Sequence, residues 1–341
     1  MSVGTAAAAD ILSGAESRQA SAVGWWRGPW VRFVRRRLTR FAVAGFLLVT
    51  GAFAMIHAVP GDPVRAAMGR NTPAAVIAAR RHSLGLDLPL WRQYVDYLHG
   101  LISGDLGISM TTQLPVKDMI SQDLPATATL ALYAFLVALL VALPLGITIG
   151  VLTRDDRHPR IQMAFSTTTG AFTAIPDFML GVGLVFVFAV TLKWFPVAGR
   201  MGLSSYVLPV VSLGTGTAAV LTRIVRVETV RVLREDYMRT ARSKRLPDRI
   251  LYLRHALPNL LTSTLTLSGL ALSSLLAGTV LVENVFAWPG LGTELVHSVP
   301  VKDYPMVQGL ALVFGVGVLL INLIVDILIA VVDPRSTMLE N

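Results

Sequence analysis

The sequence predicts an all-α polytopic membrane protein with six transmembrane helices and a small external helical cap. Of its 341 residues, 53% are hydrophobic and only 15% are charged, whereas soluble domains carry about 25% charged residues. Six apolar stretches approach or exceed the length of about 20 residues that a helix needs to cross a bilayer. Lysine and arginine lie outside all six stretches, as expected because a charge inside hydrocarbon is costly.

The distribution of basic residues between the spans predicts a membrane topology. If successive segments lie on opposite sides, 21 of the 30 basic residues fall on the side of both termini. Because cytoplasmic segments are enriched in basic residues, both termini are predicted to be cytoplasmic. The predicted spans are 41–59, 126–152, 161–192, 205–222, 258–282 and 306–332. The predicted organisation is a cytoplasmic basic tail (1–40), the first span (41–59), an external helical cap (60–125), a core of five spans (126–332) with a cytoplasmic loop (223–257), and a cytoplasmic tail (333–341).

The sequence lacks the residue patterns of common enzymes. It has no cysteine, which excludes disulfides, thiolate zinc sites, iron–sulfur clusters and cysteine nucleophiles. It contains no phosphate-binding loop, HExxH zinc pair or GxSxG elbow, and its six histidines show no metal-ligand spacing. We therefore predict no catalytic residue, metal site or cofactor on this chain. If transport is active, another chain must handle ATP.

Most of the basic residues behind the net charge of +9 lie on the predicted cytoplasmic side of the spans. The membrane topology therefore accounts for the charge, and no nucleic-acid partner is expected. The run of three arginines at 35–37, beside the first span, predicts contact with anionic membrane lipid. The alternative is that these arginines only fix the topology.

Two short helices are predicted in the external segment. Thr72 followed by Pro73 marks the start of the first helix, and Gly85 marks its end. The second helix ends at Gly104, and its apolar face consists of Leu90, Tyr94, Leu98, Leu101 and Ile102. This face either packs over the membrane helices or forms a docking surface for a soluble partner.

Two acidic residues, Asp177 and Asp326, lie within the predicted spans, where an ionisable group is costly unless it faces protein or water. Pro176 disrupts the helix before Asp177 and leaves backbone carbonyls free to line a cavity. This predicts a translocation pathway near the break. The alternative is a structural kink in which Asp177 bonds to Thr173. Asp326 is predicted to form a helix-packing polar pair with Asn322.

Small and hydroxyl residues are dense at 166–169, 212–217 and 262–274. They either allow close helix packing or line a polar pathway, and periodicity does not separate these alternatives. The candidate pathway residues are Thr173, Pro176, Asp177 and Ser212.

The cytoplasmic segment 223–257 carries 10 basic and 4 acidic residues. It predicts a helix over Glu228–Lys244, a break at 245–248 caused by Pro247, and a second helix over 249–257. Its apolar residues are Ile224, Val227, Val230, Met238, Leu251 and Leu253. These side chains predict a partner surface.

The same segment resembles a known family. REDYMRTARSK at 234–244 and LRHALPN at 253–259 resemble the EAA loop of importer-type ABC permeases, in particular the dipeptide and oligopeptide branch. Further motifs are PGDP at 60–63, GDLG at 104–107, LPAT at 124–127, FAWPGLG at 286–292, DYP at 303–305 and DPR at 333–335. Together they resemble the first permease subunit of peptide importers, the DppB or OppB type, over about residues 32–336. Arg245 stands where the family has glycine.

The resemblance implies a type I ABC importer permease fold and an inner-membrane subunit that moves short peptides by alternating access. Its implied partners are a second homologous permease subunit, two cytoplasmic ATPase domains that bind ATP and magnesium, and an extracytoplasmic substrate-binding protein. The implied coupling residues are Asp236, Tyr237, Arg239, Thr240, Ala241, Lys244, Arg245, His255 and Pro258. Ala241 is expected to sit against the ATPase groove. Trp288, Pro289 and Gly290 are the expected external gate or docking residues.

Other functions stay open at this point. The same permease type serves nickel chelates, glutathione, haem or oligosaccharides, and no residue in the spans excludes these substrates. Outside transporters, the alternative is a passive channel. Its pore would be made by homo-oligomers, and its cytoplasmic loop would have no partner. An intramembrane hydrolase would need a second catalytic partner for Asp177 or Asp326.

Overall fold

The computed structural model describes residues 29–58, 63–68, 72–83, 85–156, 158–244, 247 and 250–332. Its helices are α1 (Pro29–Ala58), α2 (Pro63–Met68), α3 (Ala74–Ser83), α4 (Leu90–Ser103), α5 (Val116–Leu152), α6 (Pro159–Ala174), α7 (Asp177–Leu184), α8 (Ser204–Arg234), α9 (Asp236–Ser243), α10 (Leu257–Val285), α11 (Leu291–Ser298) and α12 (Tyr304–Val332). Val185–Thr191 and Leu251–Ala256 are π-helical. The predicted coupling residue Arg245, the side chain of His255, and the motif residues at 60–62 and 333–335 lie outside the described residues.

The predicted spans lie in helices of the structure. Helices α1, α5, α8, α10 and α12 are each long and apolar enough to cross a membrane, and α6 with α7 supplies a sixth span if this bent pair counts as one. Several helices extend past the predicted limits. α1 begins at Pro29, inside the predicted tail, and α5 begins at Val116. Hydropathy locates the apolar part of a helix, whereas backbone hydrogen bonding sets its ends.

The third predicted span is a broken helix. Helices α6 and α7 meet at an angle of 89°. Ile175 between them is extended, with a ψ of 119°, as expected for a residue that precedes proline. Pro176 then stands at the N-cap of α7. The break predicted from Pro176 is therefore confirmed.

Helices α5 and α8 pack together closely through glycine. A Cβ atom added at Gly146 would lie 2.5 Å from the Cβ of Val225, and one at Gly150 would lie 2.7 Å from the Cβ of Thr229. These glycines are four residues apart on one face of α5. Small residues at this spacing let the backbones of two membrane helices approach each other, so α5 and α8 form a tightly joined pair.

Polar contacts tie α12 to its two neighbours. The Asp326 carboxylate lies 2.7 Å from the Arg37 guanidinium of α1, and the Ser273 hydroxyl of α10 donates to Asn322 at 3.1 Å. The expected pairing of Asp326 with Asn322 is corrected accordingly. The two residues share a face of α12, but each finds its partner on another helix.

The external cap contains both predicted helices, α3 and α4, and one that was not predicted, α2. Gly104 ends α4 in the left-handed conformation, with a φ of 76°, which glycine reaches without strain. The Tyr94 hydroxyl lies 2.7 Å from that of Thr50 on α1, and its ring lies 5.1 Å from Phe53. The cap therefore packs on the first span.

The predicted apolar face of α4 is only partly covered. Leu90 is 60% exposed and Ile102 is 88% exposed. The packed face instead includes Tyr97, whose ring centroid lies 5.7 Å from that of Phe53. Burial raises the pKa of Tyr97 to about 12, against a smaller opposing effect of Gln308. Aromatic rings reach α1 where the shorter side chains at the edges of the face do not.

Candidate functional site

The segment between α8 and α10, predicted to be a cytoplasmic loop, is built around a short separate helix. Helix α8 ends at Arg234, and Glu235 is extended with a ψ of 149°. The Glu235 carbonyl accepts hydrogen bonds from the backbone N–H groups of Met238 and Arg239, at 3.0 and 3.2 Å. The single helix predicted over Glu228–Lys244 is therefore corrected to two helices with a break at Glu235. Asp236 in the first turn of α9 suits the positive end of the helix dipole.

One face of α9 is buried by the chain itself. Met238 is fully buried and Ala241 is 7% exposed. They belong to an apolar cluster made of Val232, Leu233, Met238, Ala241, Leu251 and Ala256. Because Ala241 packs in this cluster, it presents no surface to another subunit, and its expected place against an ATPase groove is corrected. Met238 and Leu251, which predicted a partner surface, find their partner within the chain.

The opposite face of α9 is exposed. It carries Asp236, Tyr237, Arg239 and Thr240, and the exposed Lys244 directly follows the helix. Asp236 and Arg239 form an exposed ion pair at 3.3 Å, which contributes little to stability. Tyr237 is 41% exposed, so this face offers an aromatic ring and several charges to a partner.

Tyr237 also joins the two parts of the predicted loop. The Asn259 side chain lies within hydrogen-bonding reach of its hydroxyl. Partial burial, followed by the nearby Glu235 carboxylate, raises the pKa of Tyr237, so its hydroxyl is neutral at physiological pH. Pro258 is exposed at the start of α10, beside the same contact.

Within the membrane, Asp177 lines a cavity of about 340 Å³ at the break between α6 and α7. Helices α8 and α10 complete its walls, and its polar lining residues are Thr173, Asp177, Thr217 and Ser274. A Cβ at Gly216 would lie 3.0 Å from an Asp177 carboxylate oxygen, so this glycine leaves room for the carboxylate. Among the described residues, no three His, Asp or Glu side chains come close enough to hold a metal ion.

Two predicted pathway residues have other contacts. The Thr173 hydroxyl donates to the Gly170 carbonyl at 2.9 Å, so the alternative in which it bonds to Asp177 is corrected. The Ser212 hydroxyl donates to the backbone carbonyl of Asp177 at 2.6 Å. Ser212 thus satisfies a carbonyl near the helix break, while Thr173 and Asp177 line the cavity.

Trp288, predicted to lie on the external side, forms a buried anchor. Its indole N–H donates to the carbonyl of Ala126 at 3.2 Å, and its ring meets Tyr206 edge-on with centroids 4.6 Å apart. Gly290 is also buried, whereas Pro289 is exposed. The Trp288 side chain therefore does not form a docking surface. The gate role of these residues stays a prediction.

Sequence reasoning missed Glu283, which follows the predicted end of the fifth span. Glu283 is fully buried, and its carboxylate accepts a hydrogen bond from the Gly292 N–H at 2.7 Å. The Leu291 N–H donates to the Thr127 hydroxyl at 2.9 Å. These acceptors satisfy N–H groups in the first turn of α11. The motifs at 124–127 and 286–292 therefore meet in one cluster, and a lone acid at the end of an apolar span was the available signal.

Asp303 joins two further motifs in the same manner. It is 2% exposed and accepts hydrogen bonds from the Ser109 hydroxyl and from the N–H groups of Met110 and Thr111, the latter two at 3.0 and 3.1 Å. The segment after the motif at 104–107 is thereby fixed to the start of α12. A buried carboxylate needs several such donors to offset its lost hydration.

Two family models match consecutive parts of the chain. Residues 142–338 match the family described as binding-protein-dependent transport system inner membrane component, and residues 30–131 match the N-terminal model of such membrane components. The first match alone covers more than half of the chain. The chain belongs to this family. It is the multi-pass permease component of an ABC importer, as the loop and the short motifs predict.

The permease is similar to curated relatives over most of its length. It is 38% identical over 304 residues to the glutathione transport system permease protein GsiC of Escherichia coli (strain K12). The aligned region covers 89% of this chain and 98% of the relative. It is 39% identical over 302 residues to the protein of the same name in Pectobacterium atrosepticum. That alignment covers 89% of this chain and 97% of the relative.

Solved structures share the fold. Inward-facing conformations of the MetNI methionine ABC transporter, in the CY5 SeMet soak and CY5 native crystal forms, match with TM-scores of 0.52 and 0.51 at 17% and 16% identity. Each match covers 63% of the permease and 96% of the solved chain. The predicted ABC importer permease fold is therefore confirmed.

Proposed function

We propose that this permease imports short peptides, glutathione among them, by alternating access driven by ATP hydrolysis on separate subunits. The two relatives are named for glutathione transport, and glutathione is a tripeptide. In this proposal the permease pairs with a second permease subunit, two ATPase domains and an extracytoplasmic binding protein. Both termini are cytoplasmic, and the chain itself binds no cofactor.

The main support for this proposal is that α9 has one packed face and one exposed face. Its inner face packs against α8 through Met238 and Val232, so α9 is firmly attached to a membrane helix. Its outer face exposes Tyr237 and Thr240. An ATPase subunit that moves against the outer face displaces α9 and, through the apolar cluster, the end of α8. A coupling element of this kind transmits a change between two arrangements of the subunits.

The cavity at Asp177 supports a peptide substrate. It sets one carboxylate beside the hydroxyl-bearing residues Thr173, Thr217 and Ser274. A free peptide carries an ammonium group, and glutathione carries one on its γ-glutamyl residue. A carboxylate binds an ammonium group through charge-assisted hydrogen bonds, and the hydroxyls complement peptide amides. Asp177 is the proposed contact for the substrate ammonium.

Coupling is tested in proteoliposomes that contain the assembled transporter and its binding protein. Tyr237→Ala should lower both glutathione uptake and stimulated ATP hydrolysis while the complex remains assembled, because it truncates the exposed ring of α9. Arg231→Ala, an exposed change on α8 outside α9, serves as the matched control. Full activity in both Tyr237→Ala and Thr240→Trp would contradict the coupling role of α9.

Substrate class is tested separately with the same preparation. Glutathione and dipeptides should be taken up, and Asp177→Asn should raise the substrate concentration needed for half-maximal uptake. Thr173→Val keeps the carboxylate and should have a smaller effect. Uptake of nickel chelates or oligosaccharides without uptake of any peptide would refute the substrate assignment and leave the coupling role standing.

A further inference from the structure

A second groove opens between α5, α6 and α8. It has a volume of about 540 Å³ and shares no lining residue with the Asp177 cavity. Its walls include Val141, Leu145 and Ile149 of α5, Ile161 and Phe165 of α6, and Ala218 of α8. These helices belong to the membrane spans, so the groove lies at the depth of the lipid hydrocarbon.

Three of the four threonines that line this groove offer little to a polar ligand. The hydroxyls of Thr169, Thr215 and Thr222 each donate to a carbonyl of their own helix, at 2.8, 2.5 and 2.6 Å. A hydroxyl that bonds back to its helix is satisfied locally. The wall is therefore mostly apolar, with Thr168 as its remaining hydroxyl, which suits a hydrocarbon chain better than a peptide.

Positive charge stands at one end of the groove. Ile149 and Ile161 mark the end nearest the α5–α6 turn, which is cytoplasmic in the topology proposed above. There the Arg226 Nε donates to the Thr153 hydroxyl at 3.1 Å, and its guanidinium lies over the Phe165 ring at 5.9 Å. The Arg226 guanidinium is thus held beside the groove wall by the hydrogen bond of its Nε and by its contact with the Phe165 ring.

Two further arginines lie at this end among the described residues. Arg160 is exposed and immediately precedes Ile161 of the wall. Arg154 lies 3.9 Å from Asp155, so part of its charge is balanced. In the part of this end that the structure describes, Arg226 and Arg160 are therefore two cations available to an anion at the groove mouth.

We propose that the groove holds an acyl chain of an anionic phospholipid whose phosphate binds Arg226 and Arg160. An apolar slot with basic side chains at its cytoplasmic end complements both parts of such a lipid, and basic pockets between membrane helices bind anionic headgroups. The bound lipid fills the space between α6 and the α5–α8 pair and supports their relative position. A helix of the second permease subunit would use the apolar wall and leave the two arginines without a role.

The test uses the assembled transporter, delipidated and titrated with phosphatidylglycerol or phosphatidylcholine of identical chains, with binding read by native mass spectrometry. Phosphatidylglycerol should bind more tightly. Arg226→Gln and Arg160→Gln should each weaken phosphatidylglycerol about fivefold, which corresponds to about 1 kcal/mol for one basic residue near a membrane surface. Arg231→Gln, on the same helix as Arg226, is the control and should change nothing. Ala164→Trp, which fills the groove without changing charge, should weaken both lipids.

Equal binding of the two lipids by the unaltered transporter would overturn the proposal, as would unchanged binding in both arginine variants. The chain has no cysteine, so Thr168→Cys in the groove wall gives a single cross-linking site. Reaction of this thiol with a phosphatidylglycerol that carries a maleimide on its acyl chain supports the proposal, whereas preferential cross-linking of the thiol to the second permease subunit overturns it. Uptake is measured in parallel, because loss of uptake with intact lipid binding concerns the proposed transport function alone.

Discussion

Gly146→Ala should destabilise the permease although alanine favours a helix by about 1 kcal/mol over glycine. The added Cβ would lie 2.5 Å from the Val225 Cβ and 2.9 Å from the Thr222 carbonyl oxygen, whereas carbon atoms in contact normally lie about 3.5–4.0 Å apart. Helices α5 and α8 must therefore separate by about 1 Å, which forfeits roughly a quarter to a half of the dispersion energy of the contacts involved. Overpacking of this kind costs about 1–3 kcal/mol.

Gly170→Ala in α6 is the matched control, because a Cβ there meets nothing within 4 Å. Both variants gain the same helix propensity, so the difference between them isolates the steric effect. Thermal unfolding of the purified permease, followed by fluorescence-detected size exclusion, should place Gly146→Ala about 1–3 kcal/mol below Gly170→Ala. Val225→Ala should not rescue the variant, since the clash is with the Cβ. Equal stability of the two glycine variants would refute the close packing of α5 on α8.

Variants at three other buried residues, with controls, give further tests. Glu283→Ala should cost about 1–3 kcal/mol, because the buried Gly292 N–H loses its acceptor, and Glu283→Gln, which keeps an acceptor, should cost less in the same unfolding assay. Ala241→Asp should reduce the folded fraction even without an ATPase partner, because it buries a charge; Thr240→Asp on the exposed face should not. For Tyr97, the pKa is raised to about 12, so its contribution to stability is complete below pH 10 and is lost as pH rises through 12. Absorbance titration should show that Tyr97→Phe removes a tyrosine that ionises near pH 12.

Local features of the sequence predicted most of the helices. Apolar length located the spans, because the bilayer requires it at each crossing. Pro176 predicted the break in the third span, and Gly104 predicted the end of α4, because both residues act on their own backbone. The end of α8 was not predicted, because Glu235 and its neighbours are compatible with a helix. Packing of Met238 against α8, which no local pattern shows, stops the helix there and turns the chain.

The functional residues were harder to assign because their roles depend on distant partners. The motifs at 124–127 and 286–292 were found, but only the structure shows that Thr127 and Trp288 meet at one cluster. Ala241 was assigned to an interface since it is small and lies in the loop, yet its burial depends on Leu251 across the loop. The same dependence hid Glu283, whose hydrogen-bonding partner lies on the next helix.

Helix α8 connects the three regions that the proposed transport cycle requires. At about 1.5 Å per residue, its 31 residues span roughly 46 Å. Tyr206 near its start contacts Trp288, Gly216 lies beside Asp177, and Val232 near its end packs with α9. Because the glycine contacts bind α8 to α5, the proposed push on α9 would move the two helices together. The break at Ile175 lies in the wall of the Asp177 cavity, so motion of the α5–α8 pair against α6 and α7 would be absorbed at the proposed substrate path.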